Sequence, residues 1–308
     1  MPRDIGQIDQ LVRRLRWDEI DPVWIRQLIE RAREEDLNGG GLAQAPKPKG
    51  DATAAFISPK KLGRAKLIAR TPIVVAGLEL IAPIFATYGG LCSAKLHAHD
   101  KDFVQAGQII AEVEGPAVEL LTAERTLLNF LQHLSGVATW TRKHVTALGE
   151  GSSRLLDTRK TTPGFRVLEK YAVGVGGGWN HRIGLFDRVM LKDNHLAAEE
   201  SGSGKSLGDL VRKARAGRPD LLVEVEVDDA TQIQPVLEAG ADIVLLDNFS
   251  LADLQVNVPA VKKMAWCEVS GGVSIQHLPE IGRIAPDFIS CGILTHGAGW
   301  ADIGLDWD

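Results

Sequence analysis

Between Asp157 and His195 the chain reads DTRKTTPGFRVLEKYAVGVGGGWNHRIGLFDRVMLKDNH. Seven cations (Arg159, Lys160, Arg166, Lys170, Arg182, Arg188, Lys192) stand there against four acids (Asp157, Glu169, Asp187, Asp193). The stretch is therefore +3 in a chain whose formal charge is −5. Several of these cations adjoin turn residues instead of recurring at helical spacing, so a single solvated helix face does not account for them. A local cationic pocket in an acidic protein suits a small anionic ligand. Nonspecific nucleic-acid binding would need a basic surface, which this composition excludes.

Other residues that could do chemistry end short apolar runs: RLLDTRK, RVMLKDNH, LLVEVEV, DIVLLDN, WCEVSGG and FISCGILTH. Their polar ends are Arg159 with Lys160, Lys192, Glu226, Asp247, Ser270 with Gly271 and Gly272, and Gly292. Arg159 offers a planar fork for a carboxylate or phosphate. Lys160 and Lys192 are point charges for phosphate oxygens. Glu226 and Asp247 are acceptors for sugar hydroxyls or for a hydrated Mg²⁺, which takes a few carboxylates together with substrate phosphates. Backbone N–H groups of the glycine turns can receive a terminal phosphate. Together these groups describe a phosphorylated sugar reacting with an acid.

Something must bring six run ends to one place. Helix-like segments such as SLGDLVRKARAG and ATQIQPVLEAG lie between the runs, which is the βα repeat of a parallel sheet. Ligands of such folds bind at the carboxyl ends of the strands. Six strands fall short of a full eight-stranded barrel, so an α/β fold with an open barrel of parallel strands is expected, with a doubly wound sheet as the alternative. Upstream, IDQLVRRLRW and DPVWIRQLIERAREED read as helices, the second with Asp21 as N-cap and Pro22 at its first position. Short apolar runs from Ala65 to Gly115 make a small β-rich sandwich. VELLTAERTLLNFLQHLSGVATWTRKHVTAL is helical, with Ser135-Gly136 as a candidate break. The expected domains are 1–127, joined by the tail from about 295 to 308, and a catalytic barrel over 128–294.

Several features are set aside. GVGGGW, from Gly174, lacks the last glycine of a dinucleotide fingerprint and reads as a flexible loop carrying Asn180, His181 and Arg182. AHDKDFVQAGQIIAEVEG has the look of a lipoyl-type hairpin but lacks a lysine to modify after Glu114. His97, His99, His133, His144 and His277 read as structural or exposed, and His195 as a helix cap or a support behind the site. The three scattered cysteines make neither a disulfide framework nor a zinc knuckle, and fit a reducing cytoplasm. The charged N-terminus lacks a signal-peptide core, and no apolar run reaches the roughly 18 residues of a membrane span.

The segments AERTLLNFLQHLSGVAT, DTRKTTPGFRVLEKYAVGVGGGWNHRIGLFDRVMLKDNH, EVEV, LLDN, EVSGG and GILTH together resemble quinolinate phosphoribosyltransferase, the decarboxylating nicotinate-nucleotide pyrophosphorylase. The likeness runs from about Gly50 to the end. It implies a small N-terminal α/β domain, an open α/β barrel and a homodimer or a multiple of dimers. It implies transfer of phosphoribosyl from phosphoribosyl pyrophosphate to quinolinate with Mg²⁺, releasing pyrophosphate and CO₂ and forming nicotinate mononucleotide for NAD synthesis. By that resemblance Arg125, Arg159, His181, Arg182 and Lys192 hold the quinolinate carboxylates, Arg125 reaching the neighbouring subunit's site. Lys160, Lys192, Glu226 and Asp247 are the catalytic set, with Glu226 and Asp247 toward the metal, directly or through water. Ser270, Gly271, Gly272, Ser290 and Gly292 complete the phosphoribosyl site. The usual acidic turn of the family is opened here by NGGGLAQAPKPK, and Gly297 stands where a serine is usual. A different sugar-phosphate barrel enzyme, or a non-catalytic anion-binding or carrier module, are the other classes these residues allow.

Overall fold

The computed structural model describes residues 8–192 and 207–308, so His195 lies outside the described residues. The chain divides into two discontinuous compact units. One is built from residues 15–142, 162–177 and 298–308, the other from 1–14, 143–161 and 178–297. These units are not cut at the expected boundaries: the N-terminal turn goes with the barrel strands, and residues 128–142 with the first unit.

In the first unit α1 (Pro22–Asn38) starts where expected, with Asp21 Oδ1 accepting from the Val23 N–H at 2.8 Å. Strands β1 (Leu62–Ala69), β3 (Ser93–Leu96), β5 (Ile109–Pro116) and the last strand β12 (Ile303–Trp307) make an antiparallel sheet in the order β12-β1-β5-β3. Strands β2 (Ile73–Val74) and β4 (Phe103–Val104) form a separate ribbon, and α2 (Ile81–Tyr88) lies between β2 and β3 in the chain. Period-two burial explains the sheet: Ala65, Leu67 and Ala69 of β1 point inward and their neighbours do not. The C-terminal tail belongs to this unit through the β1–β12 register, Leu67 opposite Leu305.

The long helix α3 (Ala117–Leu148) is unbroken at Ser135-Gly136. Both residues serve close approach within the first unit instead. Ser135 Oγ accepts from the Ala76 N–H at 3.0 Å, and a Cβ at Gly136 would lie 2.1 Å from the Gly299 carbonyl oxygen. The GVGGGW stretch is not a loop either. Gly174 and Gly176 close α4 (Arg166–Gly176), and Gly177 caps it in the left-handed region at φ 98°. The helix expected over IDQLVRRLRW is only one turn, Ile8–Leu11. Beyond it Arg13 bridges to Asn180 as a strand would, its carbonyl accepting from the Asn180 N–H at 2.7 Å.

The second unit holds the six expected strands: β6 (Arg154–Leu156), β7 (Val189–Leu191), β8 (Val223–Val227), β9 (Ile243–Asp247), β10 (Trp266–Ser270) and β11 (Phe288–Ser290). They form one sheet in the order β6-β11-β10-β9-β8-β7, all pairs parallel. Among the described residues β6 and β7 do not pair with each other, and the outer side of β6 carries only an isolated parallel bridge from Leu156 to Trp179, so the barrel is open. Its helices are α5 (Leu207–Gly217), α6 (Ile233–Glu238), α7 (Leu251–Val261), α8 (Leu278–Ile284) and the short α9 (Ile293–His296).

Register sorts the inner face into layers. Ile243 sits between Glu224 and Trp266, Leu245 between Glu226 and Glu268, and Asp247 beside Ser270. Ile243, Trp266 and Phe288, which begin their strands, and Leu156 pack with Ile8 and Val12 of the N-terminal segment in an apolar cluster. That segment closes the amino ends of the strands and leaves the carboxyl ends as the open mouth. No helix of the described residues is long and apolar enough to cross a membrane.

Candidate active site

The mouth holds a cavity of about 700 Å³. Each strand delivers its polar end to it: Arg159 and Lys160 after β6, Lys192 after β7, Glu226 from β8, Asp247 from β9, Ser270, Gly271 and Gly272 from β10, Ser290 and Gly292 from β11. His181 and Arg182 line it from the segment before β7. Arg125 does not: it is exposed on α3, in the other unit.

Local anchors fix these groups. Asp157, fully buried at the end of β6, accepts from Asn180 Nδ2 at 2.7 Å and from the His181 N–H at 2.9 Å. The turn bearing His181 and Arg182 is thereby tied to the strand bearing Arg159. Asp187 holds the next turn, its carboxylate accepting from the Ile183 and Gly184 N–H groups at 2.7 and 3.1 Å. Thr295 Oγ1 donates to the Lys160 carbonyl at 2.8 Å. Gly271 sits at φ +85°, and a Cβ there would lie 2.3 Å from Asn248 Oδ1. Only glycine lets the β9 and β10 turns come this close.

The electrostatics are those of a site awaiting an anion. The Arg159 Nε is buried and meets no acceptor, although buried donors are nearly always paired. Burial, and then the neighbouring Arg159 cation, lower the pKa of Arg182, outweighing the pull of Glu224. Two guanidiniums that repel each other gain most when a carboxylate arrives. Lys192 Nζ pairs with Glu226 Oε2, and Asp247 Oδ2 accepts from Asn248 Nδ2 at 2.8 Å.

Below this layer lies a polar floor that sequence reading passed over. Glu224 and Glu268 are fully buried. Arg188 Nη1 donates to Glu224 Oε2 at 2.9 Å, and Arg188 Nη2 to the Leu11 carbonyl at 2.7 Å. His181 Nδ1 accepts from the Arg182 N–H at 2.7 Å, so the ring proton is on Nε2, which stands 3.2 Å from Glu224 Oε1 and 3.5 Å from Glu268 Oε1. Burial works against ionisation of Glu224, but His181 and Arg188 outweigh it and hold its pKa low. For Glu268, burial and then the Glu224 charge win, and its pKa is raised. An acid inside an apolar run, as in WCEVSGG, is the signal that marks such a group.

His181, Glu224 and Glu268 are the one grouping of three metal-type ligands among the described residues. They do not suit a cation, because the Nε2 proton blocks the ring and Arg188 already neutralises Glu224. Glu226 and Asp247 do suit Mg²⁺: two half-buried oxygen acids on adjacent strand ends, in one cavity with Lys160 and Lys192.

Comparison with known proteins agrees with this geometry. Residues 51–135 match the family model described as quinolinate phosphoribosyl transferase, N-terminal domain, and 137–306 that of the C-terminal domain. The chain is 38% identical to the nicotinate-nucleotide pyrophosphorylase [carboxylating] of Mycobacterium leprae, over 91% of this chain and 96% of that one. It is 38% identical to the probable nicotinate-nucleotide pyrophosphorylase [carboxylating] of Bacillus subtilis, over 83% and 88%. Among solved structures, the nicotinate-nucleotide pyrophosphorylase of Francisella tularensis superposes with a TM-score of 0.85 at 34% identity, covering 94% of this chain and 98% of that one.

Proposed function

Because the chain belongs to the quinolinate phosphoribosyltransferase family, we propose that its cavity transfers phosphoribosyl from phosphoribosyl pyrophosphate to quinolinate. The products are nicotinate mononucleotide, pyrophosphate and CO₂. The observation that carries this reading is the meeting of Arg159, Arg182, Lys160 and Lys192 with Glu226 and Asp247 in one cavity. A dicarboxylate and a polyphosphorylated sugar bring many negative charges together. Two of them at 4 Å repel by about 4 kcal/mol at an effective dielectric of about 20. Cations fixed on strand ends offset that repulsion without reorganising.

In this reading Arg159 and Arg182 take the two carboxylates of quinolinate, satisfying the orphan Nε of Arg159. Lys160 and the backbone N–H groups of the turns at Gly271 and Gly292 take phosphate oxygens. Lys192 turns from Glu226 to the incoming anion and frees the Glu226 carboxylate for the ribose. As pyrophosphate leaves, positive charge grows on the ribose, and Glu226 and Asp247 stabilise it. Glu226 and Asp247 would hold Mg²⁺, which would supply charge neutralisation of the departing pyrophosphate. The quinolinate ring nitrogen attacks the sugar carbon and becomes a pyridinium. The pyridinium accepts the electron pair of the bond to the adjacent carboxylate, CO₂ departs, and a proton takes its place. As the family resemblance implies, Arg125, exposed on α3, belongs in this reading to the site of a second copy in a homodimer. The three free thiols suit a reducing cytoplasm.

Nicotinate tests the dicarboxylate site. Its single carboxylate leaves a buried guanidinium unpaired, which costs about 1–3 kcal/mol per group. The expected kcat/KM for nicotinate is lower than for quinolinate by about 100-fold or more. Comparable turnover of the two acids would overturn the assignment of Arg159 and Arg182.

A further inference from the structure

We infer that Glu268 is held as a neutral carboxylic acid beneath the cavity, so that the floor carries one negative charge and not two, and that this keeps the cavity receptive to a dianionic aromatic acid. The inference rests on the functional reading above for its ligand, and on geometry for its proton.

Among the described residues, His181, Arg188 and Ser290 are the donors near the two acids. The buried pair is bounded by His181 on the segment before β7, Arg188 ahead of β7, Glu224 on β8 and Ser290 on β11. Arg188 and the single Nε2 proton of His181 fill both oxygens of Glu224. Neither oxygen of Glu268 meets a donor at full hydrogen-bond geometry, and the nearby Ser290 hydroxyl only slightly opposes the rise of its pKa. A fully buried carboxylate without donors is costly, and protonation removes that charge. The ligand atoms of Glu224, Glu268 and His181 all lie within 4.8 Å of one another. Protonation thus relieves the repulsion between the two acids and leaves Arg188 and Glu224 as an ion pair.

The consequence reaches the ligand because two walls are shared. His181 and Ser290 both touch this floor and line the cavity, and Arg182 already feels Glu224. A second negative charge here would draw on the field of Arg182 and oppose an incoming carboxylate. The sign follows from the raised pKa: the proton is present on the acid side and lost as pH rises through the folded value. Affinity for a dianion should therefore be full at lower pH and fall at higher pH.

Quinolinate binding to the full chain, followed by calorimetry from about pH 6 to about pH 9, reads this out beside Glu268→Gln. Gln keeps the shape and stays neutral. Wild type should lose about tenfold in affinity across the range, while Glu268→Gln holds the low-pH wild-type affinity throughout. A variant that follows the wild-type profile, or that binds worse at low pH, overturns the inference. An infrared difference spectrum of wild type against Glu268→Gln settles the proton without any ligand. The carbonyl stretch of a buried protonated carboxyl at neutral pH supports the inference, and its absence overturns it. Failure of quinolinate to bind wild type at every pH would instead count against the functional reading. As a folding control, Glu224→Gln should destabilise the chain far more than Glu268→Gln, because it strands the buried Arg188.

Discussion

Asp247→Asn is expected to lower kcat by about 100-fold or more, with quinolinate affinity changed by less than about threefold. Asp247 ends β9 at the mouth of the barrel, in register with Ser270. It is half-buried, and a hydrogen bond from Asn248 Nδ2 fixes its direction. Asn preserves size and removes the charge that stabilises the ribose as pyrophosphate departs. The cations proposed to bind the carboxylates stand on other elements, Arg159 after β6 and Arg182 before β7, so quinolinate should scarcely register the change. Single-turnover kinetics alongside calorimetry separates the two quantities. A collapse of quinolinate binding with the saturated rate intact would place Asp247 in the wrong half of the cavity.

The second large effect concerns Arg125. Its side chain is exposed on α3. Supplied to a second copy related by a two-fold axis, it would be exchanged reciprocally. Arg125→Ala and Lys160→Ala should each be nearly inactive alone. In a mixed dimer one site collects both lesions, and the other joins an intact Lys160 to an intact Arg125. Random reassortment makes about half of the dimers mixed, so roughly a quarter of all sites recover. Coexpression with differential tags tests this. Confirmed mixed dimers without activity would mean that each site is built within one chain.

Much of this site was legible because parallel strands buried on both faces must be apolar until they end. The runs ending at Glu226, Asp247 and Ser270 could therefore be read directly, and they meet in one cavity with Arg159, Lys160 and Lys192. The same logic hid the floor. Glu224 and Glu268 interrupt their runs, but two acids deep in a sheet make sense only once Arg188 and His181 are seen beside them. Those partners come from other parts of the chain, and no local spacing announces them. Asp157 was counted merely as a charge opposing the cations, whereas it anchors the turn carrying His181. The one-turn helix at Ile8 and the bridge from Arg13 to Asn180 were likewise invisible, because the amphipathic pattern of that segment serves to plug the strands. At Ser135-Gly136 small residues suggested a break, when they mark where other backbone passes close to a continuous helix.

The central claim is tested most directly by incubating the purified chain with phosphoribosyl pyrophosphate, Mg²⁺ and quinolinate labelled with heavy carbon in the carboxylate next to the ring nitrogen. The expected result is nicotinate mononucleotide, pyrophosphate and labelled CO₂ in equal amounts. A folded chain that forms no nicotinate mononucleotide, or a nucleotide product that keeps the label, would contradict it.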